Sequence, residues 1–332
     1  MKTFYLDRQG HSNFIDFLKG VCILWVLWTH VYFYPSQTLF PLWGEMAVPI
    51  FIMIQVVNTY RKGIDQVKFP KIKKLFLRIL LPALIVWFIL FIINSLWGGV
   101  LHADKVLVNW GYGPGCYYPW IYLEFAFLLP IIAWIFNRLK RPFYILFFCL
   151  GVSVLFEVIC SYVNPAPWIY SKLFFRYFFL IYLGYEWLEH GIVLNKKNIV
   201  FALVGAIFIV LFYYTDMDFE PLFYTTSWRV HHWICYFYVL YVLVFLLAMV
   251  HKSQLFPQKI KLLFEYLGKA SYDIFVCQMA VFALLHPGRL SFFTYPLING
   301  IVYVIVTLFF SLVLGILLYR IRNCKIKFFK KS

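Results

Sequence analysis

The chain has 332 residues, of which 63% are hydrophobic, 23% are aromatic and only 13% carry a charge. This composition excludes a soluble globular protein, and with it the nucleic-acid-binding function that a net charge of +16 would otherwise suggest. Apolar windows of about 20 residues, the length that a helix needs to cross the hydrocarbon core of a bilayer, recur along the chain. The sequence therefore predicts an all-α fold, a polytopic bundle of transmembrane helices.

About ten membrane spans are predicted, and together they form a single domain over residues 1–332. The spans are placed at residues 13–34, 40–59, 76–97, 117–137, 142–162, 169–189, 199–215, 231–250, 271–287 and 297–319. The first span is too long and too aromatic for a cleaved signal sequence, so we expect it to remain in the mature protein. The connections between spans are short, which leaves no room for a second soluble domain. Residues 320–332 are expected to form a basic cytoplasmic tail.

Lysines and arginines are concentrated on alternate connections of the predicted bundle. Most of them fall on connections that lie on the same side as the N-terminus. The opposite side holds Lys105, Lys172, Arg176, Arg229 and Arg289. This distribution matches the positive-inside pattern of membrane proteins and predicts that both termini lie in the cytoplasm.

The first predicted span carries a lysine near its start and a histidine near its end. Lys19 and His30 are 11 positions apart, about three helical turns, so they share one helix face and lie about 16 Å apart along its axis. Asp16, three positions before Lys19, joins that face and can pair with the lysine. One interpretation makes His30 a polar residue near the outer interface, bonded to water or a carbonyl. The alignment with Lys19 favours a functional role, because ionisable groups inside a bilayer are costly and a neutral imidazole can act as a general base.

Segment 61–82 is rich in basic residues, and two interpretations of it stay open. It is either a positive-inside loop with an interfacial helix, or an anion site in which Lys73, Lys74 and Arg78 hold phosphates at the membrane face. Arg78 lies within the start of a span, where a guanidinium needs a partner, and this favours the anion site.

Further polar residues fall inside the predicted spans. Glu124 and Glu157 are expected to line an internal cavity or to pair with Arg176 or an amide, because a carboxylate does not face lipid. Gln278 is a further candidate for the lining of that cavity. Residues 111–120 and 231–233, on the predicted outer side, are dense in aromatics and suit either an interfacial belt or a surface for sugar rings.

Several motifs carry a resemblance to a known family. They are FIDFLKG at 14–20 followed by His30, VPIF at 48–51, RILLP at 78–82, YYPWIYLE at 117–124 with Pro130, FRYFF at 175–179 with Gly184, and LGKASYDIF at 267–275 with Gln278 and Met279. The chain thereby resembles acyltransferase family 3, bacterial integral membrane proteins that move acyl groups, often acetyl, onto hydroxyls of cell-surface glycans. The resemblance is strongest over residues 14–279, and the basic-x10-His pattern of Lys19 and His30 is its most specific part.

The resemblance implies roles for individual residues. His30 matches the catalytic histidine of the family, and Lys19 matches the basic residue that helps to hold acyl-CoA. Arg78 matches the second arginine of an Arg-x-x-Arg element, whose first position is Leu75 in this chain, with Lys73 and Lys74 beside it.

The chain also departs from the family pattern at two further places. Ile54 and Gln55 stand where a small Ser-Gly pair usually follows the Pro-x-Phe stretch. Gln278 stands where many members have a histidine, which excludes a second histidine role at that position.

The resemblance implies a membrane-embedded O-acyltransferase in the bacterial cytoplasmic (inner) membrane. Acyl-CoA, acetyl-CoA in the first instance, is the expected co-substrate, with its phosphates at the basic rim and its pantetheine arm reaching towards His30. The expected partners are a glycan or lipid-linked saccharide acceptor, membrane lipid and a polysaccharide assembly machinery; neither a metal nor a nucleic acid is expected. His30 is expected to take the proton of the acceptor hydroxyl as a general base, with a covalent acyl-histidine relay as the second variant.

Two other functions stay open. A ten-span bundle with buried acids could export a polysaccharide or a lipid-linked sugar unmodified. However, a transporter would not need Lys19 and His30 on one face of the first span, and it would show broken helices. A degenerate family member could instead be a structural partner in a polysaccharide assembly complex. The departures at Leu75, Gln55 and Gln278 leave room for that role.

Overall fold

The computed structural model describes residues 2–5, 12–31, 39–96, 115–170, 172–215, 217, 219–224, 230–285 and 296–328. Most of these residues are helical, and the predicted fold class is confirmed: the chain is a polytopic bundle of apolar helices. Two short strands, β1 (Lys2–Phe4) and β2 (Ile192–Leu194), pair antiparallel. Of the basic residues predicted opposite the N-terminus, Lys105, Arg229 and Arg289 lie outside the described residues.

The bundle is built, in the described residues, from ten helices in chain order. They are α1 (Asn13–Thr29), α2 (Ala47–Tyr60), α3 (Ile72–Leu75, Phe76–Leu80 and Leu81–Leu96), α4 (Tyr118–Leu139), α5 (Pro142–Val163), α6 (Phe179–His190), α7 (Lys196–Tyr214), α8 (Trp233–Cys235, Tyr236–Tyr238, Val239–Val244 and Phe245–Lys252), α9 (Gln258–Leu284) and α10 (Pro296–Phe328). The middle part of α3, Phe76–Leu80, and the part Val239–Val244 of α8 are π-helical. Short helical turns lie at Phe40–Leu42, Ile64–Gln66, Pro167–Tyr170 and Phe174–Tyr177.

Eight of these described helices are long and apolar enough to cross a membrane. This count takes α2 together with the segment before it, as Phe40–Tyr60, and it leaves out α1, with 17 residues, and α6, with 12. Helix α1 begins where the Ser12 hydroxyl accepts a hydrogen bond from the Ile15 N–H, which caps the first turn. Residues 32–34 of the predicted first span, and residues 329–332 of the predicted tail, lie outside the described residues.

Successive helices run in opposite directions, so the bundle has two ends, which we call the Lys19 end and the His30 end. At the Lys19 end the rings of Phe14 and Phe17 pack on His251, near the end of α8, at centroid distances of 5.6 and 5.1 Å. At the His30 end Trp25 of α1 packs edge-on against Trp43, which precedes α2, at 5.8 Å. The start of α1 therefore lies at the same end of the bundle as the end of α8, and the end of α1 lies at the same end as the start of α2.

Helix α9 packs closely along α1. A Cβ atom added to Gly20 of α1 would overlap the backbone carbonyl of Phe264, and one added to Gly268 of α9 would overlap the carbonyl of Asp16. The two helix backbones therefore touch at this crossing, which only small residues allow. Helix α9 also packs against α10 and α3, so it connects α1 with both.

The structure shortens the sixth predicted span, 169–189, to a helix that starts only at Phe179. The preceding segment makes contacts that a continuous helix would not allow. The Phe174 N–H donates to the Glu124 carboxylate at 3.1 Å instead of to a carbonyl one turn earlier.

The ninth predicted span, 271–287, begins much earlier than expected, at Gln258. Its polar first half is helical because its charges find partners at the Lys19 end. The Lys261 ammonium donates to the Ser253 carbonyl at 2.6 Å, and Glu265 pairs with His251 at 3.3 Å.

Candidate functional site

The Lys19–Asp16 pair that the spacing predicts is present in the structure. The Lys19 Nζ lies 3.0 Å from Asp16 Oδ1. The Asp16 side chain is buried, with 1% of its surface exposed, whereas the Lys19 side chain is 23% exposed. Because the Asp16 backbone touches α9 at Gly268, this pair fixes a partly exposed ammonium beside the crossing of α1 and α9.

His30 caps the end of α1, about three turns from Lys19, whereas the predicted span continued to residue 34. Its backbone N–H donates to the Leu27 carbonyl at 3.3 Å, which closes the last turn of the helix. Its half-buried ring packs edge-on against Phe282, near the end of α9, with centroids 6.1 Å apart. Within the described parts of the chain, neither ring nitrogen of His30 takes part in a hydrogen bond. In the described parts of the chain, the imidazole is therefore positioned by packing.

Gln278 is fully buried on α9, one helical turn before Phe282, so it points to the same side of α9 as the residue that contacts His30. The backbone at Gly115, which has a φ of 80°, approaches this turn so closely that an added Cβ would lie 2.9 Å from the Phe275 ring. The Phe275 ring in turn packs on Tyr118 at the start of α4, at 5.1 Å. The start of α4 therefore packs against the part of α9 that leads to His30.

The predicted anion residues lie on the first turns of α3. Lys73, Lys74 and Arg78 are all exposed, and Arg78 is in the π-helical part of the helix. Arg322 of α10 donates to the Arg78 carbonyl at 3.3 Å. The same guanidinium lies 2.7 Å from the carboxylate of Asp273 on α9.

The four predicted donor-binding residues therefore lie on two helices, α1 and α3, at the same end of the bundle. Helix α9 packs against both of these helices. The sequence interpretation missed Arg322 and its ion pair with Asp273. The sequence did contain a sign of this pair, because Asp273 lies inside the ninth predicted span and Arg322 follows the tenth.

The two embedded glutamates accept hydrogen bonds from backbone amides, and pairing with an amide was one of the outcomes expected for them. Glu124 accepts the Phe174 N–H, and Glu157 accepts the Tyr224 N–H at 2.9 Å. Glu157 Oε1 also accepts the Tyr170 hydroxyl at 2.8 Å, and His232 Nδ1 lies 3.1 Å from the same oxygen. Because Glu157 is only 2% exposed, these donors replace the water that a carboxylate would otherwise need.

Arg176 joins the Glu157 group from the segment before α6. Its Nε donates to the His231 carbonyl at 3.2 Å, and its guanidinium lies over the Tyr170 ring, 4.8 Å from the centroid. The His231 Nε2 bonds to the Glu45 carbonyl at 2.8 Å, so this nitrogen carries the proton. Burial, followed by the Arg176 charge, lowers the pKa of His231 to about 3 and keeps the ring neutral.

This buried group links three connections at the His30 end. The sequence interpretation assigned His231 and His232 to an aromatic belt or a sugar surface, and it did not connect them with Glu157 or Arg176. The sequence did contain a sign of these contacts, because two adjacent histidines next to an apolar helix need buried hydrogen-bond partners. The aromatic stretch 111–120 is described only from Gly115 onwards.

In a comparison with known protein families, the family model for the family-3 acyltransferase domain matches residues 12–320. No curated protein and no solved structure matches the chain. The matched range includes α1 to α9 and most of α10, and it contains every site residue predicted from the sequence, whereas Arg322 lies two positions beyond it.

Proposed function

The chain belongs to this family of membrane acyltransferases, and from that premise we propose that it moves an acyl group from acyl-CoA to a hydroxyl of a cell-surface or lipid-linked glycan. The acyl group is acetyl in the first instance, and the bundle lies in the cytoplasmic membrane of a bacterium. The observation that carries the proposal is the position of His30. Its ring nitrogens are free of hydrogen bonds to the described residues, and it stands on the same helix as the Lys19–Asp16 pair.

The Lys19 end is the donor side in this proposal. Coenzyme A carries phosphates, for which exposed lysine and arginine side chains are the usual ligands. Lys19 is partly exposed, and Lys73, Lys74 and Arg78 are exposed on α3. The positive-inside pattern predicts that this end lies in the cytoplasm, where acyl-CoA is made.

The reaction takes place at His30, towards the opposite end. The imidazole accepts the proton of the acceptor hydroxyl while the oxygen attacks the carbonyl carbon of the thioester. The tetrahedral intermediate then breaks its C–S bond, and the protonated imidazole returns the proton to the leaving thiolate. The products are the O-acyl glycan and free CoA. The distance of about 16 Å between Lys19 and His30 along α1 is the span that the pantetheine arm must cover.

The acceptor reaches His30 from its own end of the bundle. The part of α9 that leads to His30 packs against aromatic side chains at the start of α4, and rings of this kind suit the apolar faces of sugars. Gln278, one turn from Phe282, offers an amide on the same side of α9 in place of a second basic group.

The proposal is tested by transfer of radiolabelled acetyl from acetyl-CoA in membranes that contain the chain, beside membranes without it. We expect label in the glycan fraction, bound as an ester that mild alkali releases. Export of unlabelled glycan by the same membranes, with no ester formed, would contradict the proposal and support an exporter instead.

A further inference from the structure

Helix α10 returns to the donor side, and there one of its guanidinium groups contacts both α3 and α9. Arg322 of α10 donates one N–H to the Arg78 carbonyl at 3.3 Å and places another nitrogen 2.7 Å from the Asp273 carboxylate. Asp273 is fully buried and Arg322 is 22% exposed. An arginine can make both contacts at once because its donors are held in one rigid plane.

The turn that Arg322 contacts is unusual in its backbone. Phe76–Leu80 is π-helical, and such insertions in helices occur often at functional sites. The next carbonyl along this turn, that of Ile79, accepts the Tyr272 hydroxyl, and Tyr272 is the neighbour of Asp273 on α9. Two successive carbonyls of the turn are thus held from α9 and α10, while the side chain of Arg78 remains exposed.

We propose that Arg322 is a positioning residue of the donor site: it holds the π-helical turn so that the Arg78 guanidinium faces the phosphates of acyl-CoA. This inference rests on the proposed function. It extends the donor site to α10, which supplies none of the donor-site residues predicted from the sequence. Arg322 also brings a second guanidinium to a turn where Leu75, three positions before Arg78, offers no charge. Asp273 fixes the orientation of Arg322 by pairing with it from inside the bundle.

A purely structural ion pair predicts different behaviour. If Arg322 only neutralised Asp273, replacing both residues by uncharged amides would remove the buried charge and restore a normal protein. If Arg322 positions Arg78, the same double replacement would leave a folded protein that still binds CoA poorly.

The experiment measures equilibrium binding of coenzyme A to the purified full chain in detergent. The variants are Arg322→Gln, Arg322→Lys and the double variant Asp273→Asn/Arg322→Gln, each compared at equal monodispersity. Arg320→Gln is the matched control, because Arg320 lies two positions earlier on the same helix, loses the same charge, and bonds to the Tyr266 hydroxyl at 3.1 Å instead of to α3.

We expect Arg322→Gln and the double variant to bind CoA about tenfold more weakly or worse, as for a mispositioned charge-assisted hydrogen bond. Arg322→Lys keeps a charge for Asp273 but not the planar fork, so its loss should be intermediate. Arg320→Gln should bind like the unmodified chain. In the transfer assay, the KM for acetyl-CoA should rise in the double variant while kcat stays close to normal.

The inference is overturned if the double variant binds CoA as well as the unmodified chain, or if Arg320→Gln weakens binding as much as Arg322→Gln. Failure of the proposed function would look different. In that case the unmodified chain itself would not bind CoA, and the donor assignment and this inference would both fall.

Discussion

The two embedded glutamates should differ strongly in what they contribute to stability, although the sequence presents them alike. Glu157→Ala leaves three buried donors without their acceptor, namely the Tyr170 hydroxyl, the Tyr224 N–H and the His232 Nδ1–H. A buried donor left unmet costs about 1–3 kcal/mol, and losses within one group are not additive, so we expect a destabilisation of about 3 kcal/mol or more.

Glu124→Ala is the matched comparison. Glu124 is only half-buried and accepts one hydrogen bond in the described structure, from the Phe174 N–H, so its loss should cost about 1 kcal/mol. Tyr170→Phe gives an intermediate step, because it removes one donor to Glu157 and keeps the ring stacked on Phe156 at 5.5 Å.

The assay is thermal unfolding of the purified chain in detergent, followed as the loss of the monodisperse species on heating. The expected order of unfolding temperature, from lowest to highest, is Glu157→Ala, then Tyr170→Phe and Glu124→Ala. Equal unfolding temperatures for Glu157→Ala and Glu124→Ala would refute the reasoning, because they would mean that the number of buried donors does not determine the cost.

Two further predictions concern α1 and its contact with α9. Gly268→Leu should destabilise the bundle by about 1–3 kcal/mol, since its side chain would overlap the Asp16 backbone; the unfolding temperature measures this, and an unchanged value would contradict the close crossing. Lys19→Gln should raise the KM for acetyl-CoA about tenfold with a smaller change in kcat, because it removes a cation from the donor side, whereas Lys19→Arg should retain most of the affinity. Steady-state transfer kinetics distinguish the two variants, and equal KM values would exclude Lys19 from the donor site.

The local arrangement on α1 could be predicted because it depends only on helical periodicity. Asp16 and Lys19 are three positions apart, which puts them on adjacent turns of one face whatever surrounds the helix, and their ion pair is present at 3.0 Å. The placement of His30 at the far end of the same helix follows from the same geometry. The fold class could be predicted as well, since apolar windows of spanning length leave few other structures.

Helix boundaries were less predictable where charged residues have partners inside the protein. Hydropathy averages count Lys261 and Glu265 as polar, but in the structure each finds a partner near the end of α8, and α9 continues through both. Before α6 the predicted helix was too long. The apolar segment there is not part of α6, and the Phe174 N–H donates to Glu124 instead.

Pairings between distant helices could not be predicted from one sequence. Asp273 with Arg322, and Glu157 with His232, join residues whose separation along the chain says nothing about their contact. Composition indicates only that a buried acid needs a partner, and the topology of the bundle decides which residue supplies it. The interpretation of segment 61–82 failed to include Arg322 for this reason.

The most direct test of the account is the initial rate of acetyl transfer to glycan by the His30→Gln variant, compared with His190→Gln at equal chain level. His190 is an exposed histidine at the end of α6, 3.2 Å from Glu186, so its replacement controls for the loss of a histidine elsewhere. We predict that His30→Gln lowers the rate about 100-fold or more, the contribution of a general base, and that His190→Gln leaves the rate unchanged. A His30→Gln variant that transfers acetyl at the rate of the unmodified chain would contradict the assignment of His30 as the base.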